Sequence, residues 1–199
     1  MIIYISKLER EMQKRFILAI ISIVFCISGC VDLKKDDSAQ HYERAILKLH
    51  RANTEQERFY ALNDAAKESY ISENYDEAQE YAEELQFLSE KYLEDWNYGN
   101  AIQDYHIVLG KIILKDGNVS CAKEHLLSAG MSPGSPQMNS FGPNMSLAKE
   151  LLRHGETEVV LEYFNLCRNF WELHDGKLDK WIKTVKNGDL PDFGSNLIY

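Results

Sequence analysis

The sequence predicts an all-α protein, an array of antiparallel helix pairs, on three observations. Apolar residues recur at helical spacing through most of residues 41–186, as on amphipathic helices. No run alternates apolar and polar residues as a half-buried strand would. Cap and stop signals, such as Thr54 with Glu57 and the pair Asp116-Gly117, punctuate the apolar stripes.

Each element follows in order. Tyr42, Ala45, Ile46 and Leu49 mark a first helix. Thr54 and Glu57 make a capping box that opens a second, carrying Phe59, Leu62, Ala65, Ala66 and Tyr70. Asn74 is placed to cap the third, whose stripe is Ala78, Tyr81, Ala82, Leu85, Leu88 and Tyr92. A fourth runs from about Tyr98 to Lys115, and its follower ends near Gly130. Residues 130–143 (GMSPGSPQMNSFGP) hold three prolines and three glycines, which exclude a continuous helix. A connection of this length is either functional or a loop packed across helix ends. Helices resume at Asn144, pause at Gly155, and continue through Phe164, Cys167, Phe170 and Trp171. A last helix covers Lys177 to Lys186. The tail is predicted to dock through Leu190, Phe193, Leu197 and Tyr199.

Residues 1–29 read as a secretory signal. Lys14-Arg15 precede an almost uncharged run, Phe16 to Ile27, that closes on small residues before Cys30. The run is shorter than the ~20 apolar residues a membrane span needs. Either Met1 or Met12 serves as the start. The tetrad Ile27-Ser28-Gly29-Cys30 resembles the lipobox of bacterial lipoproteins. That resemblance implies that Cys30 is diacylated and becomes the first residue of the mature chain. It also implies a lipid-anchored protein of the cell envelope. With Val31 following the cysteine, the pattern resembles the Gram-negative default sorted to the periplasmic side of the outer membrane. Cys30 and the polar residues 31–40 then form a tether, and 41–199 the helical domain.

Three helix pairs share a pattern: a small residue, a turn seven residues on, and another small or apolar residue five further. These are Ala66, Glu73-Asn74-Tyr75 and Ala78; Gly110, Gly117-Asn118-Val119 and Ala122; Ala148, Gly155-Glu156-Thr157 and Val160. Small residues there let paired helices approach closely. The phrase from Asn74 to Ala78 and the stretch from Gly110 to Ala129 resemble tetratricopeptide repeats, which implies an α-α superhelix. The spacing from Ala78 to Ala122 is 44 residues, and from Ala122 to Val160 38, against about 34 in a regular array. Two blocks, Trp96-Asn97-Tyr98-Gly99-Asn100 and Ser135 to Asn144, also resemble a bacterial group with tetratricopeptide-like helices, a likeness that implies no activity.

Composition narrows the function. Beyond residue 29 the chain has 18 basic and 29 acidic side chains, a net charge of −11. That charge opposes attraction to nucleic acid or anionic lipid. In tetratricopeptide arrays the first helices line a concave face. The residues following the small packing positions, Lys67, Lys111 and Lys149, would point into it. One turn on stand Ile71, Lys115 and Arg153. This cation row predicts a groove for an acidic segment of a protein or peptide partner, or of a second copy of the chain in a homo-oligomer. The alternative reading is that lysine is simply a good helix former on a wet face. Asn97, Asn100 and Asp104 share one side of the fourth helix. They either fix a ligand backbone by hydrogen bonds or, for the asparagines, cap the helix.

Catalysis is not expected. The six histidines are scattered, and neither a HExxH helix, a P-loop nor a G-x-S-x-G elbow is present. No metal or cofactor is implied. Cys121 and Cys167 sit on predicted helices, where they either pair in an oxidising compartment or act as small core residues.

Overall fold

The structure, a computed structural model, describes residues 38–197. The expected leader, the lipobox-like tetrad with Cys30, most of the expected tether, and Ile198 with Tyr199 lie outside the described residues. The chain divides into two units, Met1–Glu43 and Arg44–Tyr199. Of the first, residues 38–43 are described and are helical, so the end expected for the tether is helix. The second opens with helical residues 44–50, labelled α1.

Eight further α-helices follow among the described residues, and no strand. They are α2 (Glu55–Ile71), α3 (Tyr75–Ser89), α4 (Tyr98–Lys115), α5 (Val119–Gly130), α6 (Pro136–Phe141), α7 (Ser146–Arg153), α8 (Thr157–Cys167) and α9 (Lys177–Lys186). A 3-10 turn, Gly194–Leu197, closes the described chain. No helix among these residues is long and apolar enough to cross a membrane.

The three predicted pairs, α2/α3, α4/α5 and α7/α8, are all present and packed. Their turns are alike atom for atom. Glu73, Gly117 and Gly155 adopt left-handed backbone with φ of 64°, 87° and 82°. In each, that residue's N–H returns to a carbonyl three back, Tyr70, Leu114 or Leu152. The next N–H reaches five back, to Ser69, Ile113 or Leu151. This Schellman closure satisfies the last carbonyls of the first helix and turns the chain. The flanking small residues Ala66, Ala78, Ala122 and Ala148 have no exposed surface. An added Cβ on Gly110 would lie 2.5 Å from Leu147 Cδ2 and 2.9 Å from His125 Cβ.

Caps differ in part from expectation. Thr54 and Glu57 form the full capping box. Asn74 makes no side-chain cap, whereas Asn118 caps α5 through Cys121 N–H. Helix α8 stops at Cys167, so Phe170 and Trp171 enter the core from the turn beyond it. The proline-rich stretch contains a helix after all. Pro136 opens α6 at a position where its missing N–H costs nothing.

Two apolar cores result. One gathers Leu49, Phe59, Leu62, Leu85 and Val108; the other Leu126, Leu147, Phe164, Trp171 and Trp181. Helix α4 is the wall between them, with Tyr105 and Ile112 in the first and Ile107 and Leu114 in the second. The tail docks as expected at Phe193, whose ring meets Trp181 edge-on at 5.0 Å. Asn196 fixes it further, donating to Phe141 O and Pro143 O while its own carbonyl accepts from Met145 N–H at 2.7 Å. Leu190 instead stays 45% exposed.

Candidate functional site

A cleft of about 530 Å³ opens between α2, α4 and α6. Helix α2 supplies Asn63 and Lys67, four residues apart and therefore on one face. Helix α4 and the residue before it supply Asn97, Asn100, Gln103 and Asp104; α6 and its C-cap supply Gln137, Met138, Phe141 and Gly142. The two sequence blocks singled out above thus face each other. They approach closely because Gly99 lacks a side chain: a Cβ there would fall 1.9 Å from Gly134 O. Ser132 Oγ then donates to Gly99 O at 2.7 Å.

Asp104 and Lys67 form the cleft's buried ion pair, 3.0 Å apart, with side chains 9% and 22% exposed. Asn63 Nδ2 also donates to Asp104, at 2.9 Å. Burial pushes the Asp104 carboxyl up, opposed by Lys67 and Asn63. Burial pulls the Lys67 ammonium down, but the carboxylates of Asp104 and Asp64 outweigh it and hold Lys67 above the ordinary lysine value. At the mouth, Lys48 pairs with Asp64 at 2.9 Å. Trp96, 51% exposed, leans on Tyr60 with ring centres 5.4 Å apart. Tyr60 is held in turn by Asp95, which accepts its hydroxyl at 2.7 Å.

Asn97 does not cap α4; no side-chain cap bond is made there. Its amide instead joins Asn63 and Asn100 in the cleft floor. Asn97, Asn100, Asp104 and Lys67 therefore come together as one site.

The rest of the cation row does not join them. Lys111 lies over the Tyr70 ring at 4.1 Å and 3.4 Å from Glu150. Burial lowers its ammonium, with Glu150 opposing. The charged α7 residue that meets α4 is thus the acid Glu150 and not its neighbour Lys149. Lys115 stacks on Tyr75 at 4.7 Å. Lys149 and Arg153 make no ion pair among the described residues, and Arg153 borders a separate small recess beside Leu190. Two cations of the row, Lys67 and Lys111, are therefore matched by the acids Asp104 and Glu150.

Sequence reasoning missed Asn63, Gln103, Ser135 and Gln137. Gln103 accepts Asn144 N–H at 2.9 Å and donates to the buried Tyr163 hydroxyl at 3.3 Å. The available signal was a carboxamide inside an apolar stripe: Asn63 stands amid Ala61, Leu62, Ala65 and Ala66, and is itself buried. Cys121 and Cys167 are unpaired, and burial drives the Cys167 thiol far up. His106 meets His125, with Nδ1 atoms 3.0 Å apart. Among the described residues no group of three His, Cys, Asp or Glu side chains is arranged to hold a metal. No family model matches the sequence, and neither a curated protein nor a solved structure matches it.

Proposed function

We propose that the chain is a lipid-anchored envelope protein that binds and does not catalyse. Its hairpins would stack as a tetratricopeptide-like superhelix, and its α2–α4–α6 cleft would hold an extended segment of a partner protein. The observation that carries this reading is the cleft. Its volume of about 530 Å³ falls in the range of about 300–1,000 Å³ usual for binding sites. Its floor is hydrogen-bonded in place before any ligand arrives, which lowers the ordering cost of association. An exposed tryptophan on the lip is the side chain most often found anchoring interfaces.

Because the cations of the cleft are matched by Asp64 and Asp104, hydrogen bonding and aromatic contact select the segment, and net charge does not. The lipobox resemblance at Cys30 supports the anchor, and two acyl chains give the stable attachment that one does not.

A photoreactive phenylalanine at position 96, compared with one at the exposed Phe87 on α3, tests the site. Crosslinking in intact cells is expected to recover a partner protein from position 96 and not from 87. Equal recovery from both positions, or none from 96, removes the cleft as the binding site. In the same cells, Cys30→Ser is expected to move the protein to the soluble fraction, and its retention in membranes would remove the lipid anchor.

A further inference from the structure

The hydrogen bonds of the cleft floor run in one direction, and a single charge sets it. The Asp104 carboxylate can only accept and the Lys67 ammonium can only donate. Asn63 therefore turns its amide nitrogen to Asp104 at 2.9 Å. Its oxygen is left to accept from Asn97 Nδ2, also at 2.9 Å. Asn97 in turn offers its oxygen to Asn100 Nδ2 at 3.1 Å. Asn100 offers its own to the Ser135 hydroxyl at 2.6 Å. At that far end Met138 N–H donates to Ser135 Oγ at 3.0 Å, which leaves the hydroxyl proton for Asn100. Gln137 Oε1 accepts the second N–H of Asn100 at 2.8 Å.

Each of these four carboxamide oxygens is already engaged from within. Beside the second oxygens of Asp64 and Asp104, what these carboxamides offer a ligand is N–H. Gln137 Nε2 has no partner among the described residues, and Lys67 has donors beyond the one on Asp104. A donor-rich floor beside an exposed indole suits a chain that brings carbonyl oxygens and apolar rings but few N–H groups of its own. Proline has that chemistry: it lacks the N–H, and in the polyproline II helix its carbonyls stay unbonded and face outward. Such a helix is also ordered before it binds, so little entropy is lost.

We infer that the segment held in the cleft is an uncharged, proline-rich stretch in polyproline II conformation, with carbonyl oxygens on Gln137 and Lys67 and a prolyl ring against Trp96. This rests on the cleft being the peptide site proposed above.

The test uses the full-length protein in detergent and three blocked octapeptides: all-proline, alternating glycine–serine, and a glutamate-containing one, measured by calorimetry. The proline octamer is expected to bind most tightly. Gln137→Glu keeps an oxygen for Asn100 while replacing the outward donor with a carboxylate, at an exposed position. It should weaken proline binding by about tenfold, the upper worth of one neutral hydrogen bond. Trp96→Ala should weaken it at least as much, with unchanged circular dichroism for both variants. Equal affinity of Gln137→Glu and the parent overturns the inference. So does tighter binding of either other octamer, which would leave the cleft a peptide site with different taste. Crosslinking from position 96 without octamer binding likewise removes only the proline assignment. Failure of the crosslinking removes the cleft reading itself, and this inference with it.

Discussion

With 9% of the Asp104 side chain and 22% of Lys67 exposed, neither charge could remain there without the other. Removing one member of such a pair strands its partner, at a cost of about 3 kcal/mol, whereas replacing both by apolar groups costs far less. Lys67→Met is therefore expected to lower stability in urea by about 3 kcal/mol. The double variant Lys67→Met/Asp104→Leu should recover part of that loss, less about 1 kcal/mol for the Asn63 amide left without its acceptor. A single variant no more costly than the double would show that the pair is not coupled. Both residues stand out in the sequence, one as a cation of the predicted row and one as a hydrogen-bonding acid. Their pairing was not legible, because 37 positions separate them and no local pattern encodes that contact. Lys111 carries the same lesson: its counter-ion, Glu150, is set by the register of α7 against α4.

Helix α4 has eleven of its 18 residues buried and contacts both cores, so its seam with α5 governs the whole. In that seam His106 and His125 share one hydrogen bond, which requires at least one neutral ring. Burial, helped by His125, lowers His106 from 6.5 to about 4; burial also lowers His125, with Glu124 opposing. The unfolded chain thus takes up a proton near pH 6.5 that the folded chain refuses until about pH 4. Stability from this site is complete above the unfolded value and falls as pH drops through that window, by about 3 kcal/mol in full. Urea titrations at about pH 7 and about pH 5 should show the parent losing more than His106→Gln; equal losses would acquit the pair. Element boundaries were readable because they are local: Gly117 and Gly155 announce their turns. Glu73 adopts the same left-handed backbone without a glycine to signal it, and α6 hid behind a proline that starts a helix as readily as it ends one.

At the scale of the molecule, the two cores are joined by α4 and sealed by segments that are not hairpins: the 131–143 connection and the tail. The tail's apolar residues made its docking at Phe193 predictable, while Asn196, which ties it to Phe141 and Pro143, carried no apolar signal. The cleft is built from the same long-range material. Its hydrogen bonds span 34, 35, 37 and 41 residues of chain, whereas each hairpin closes across a turn of a few residues. Short loops close at low entropic cost and long ones later. The hairpins should therefore assemble first and the cleft last, with the reverse order on opening. Native-state hydrogen exchange is expected to find the amides of residues 132–142 released in a partial opening below the free energy that frees α4 and α5. Uniform protection would count against that order. The directional chain from Ser135 to Asp104 then acts as a late-closing latch, and whatever occupies the cleft would report its presence by slowing that latch, a signature readable without knowing the ligand.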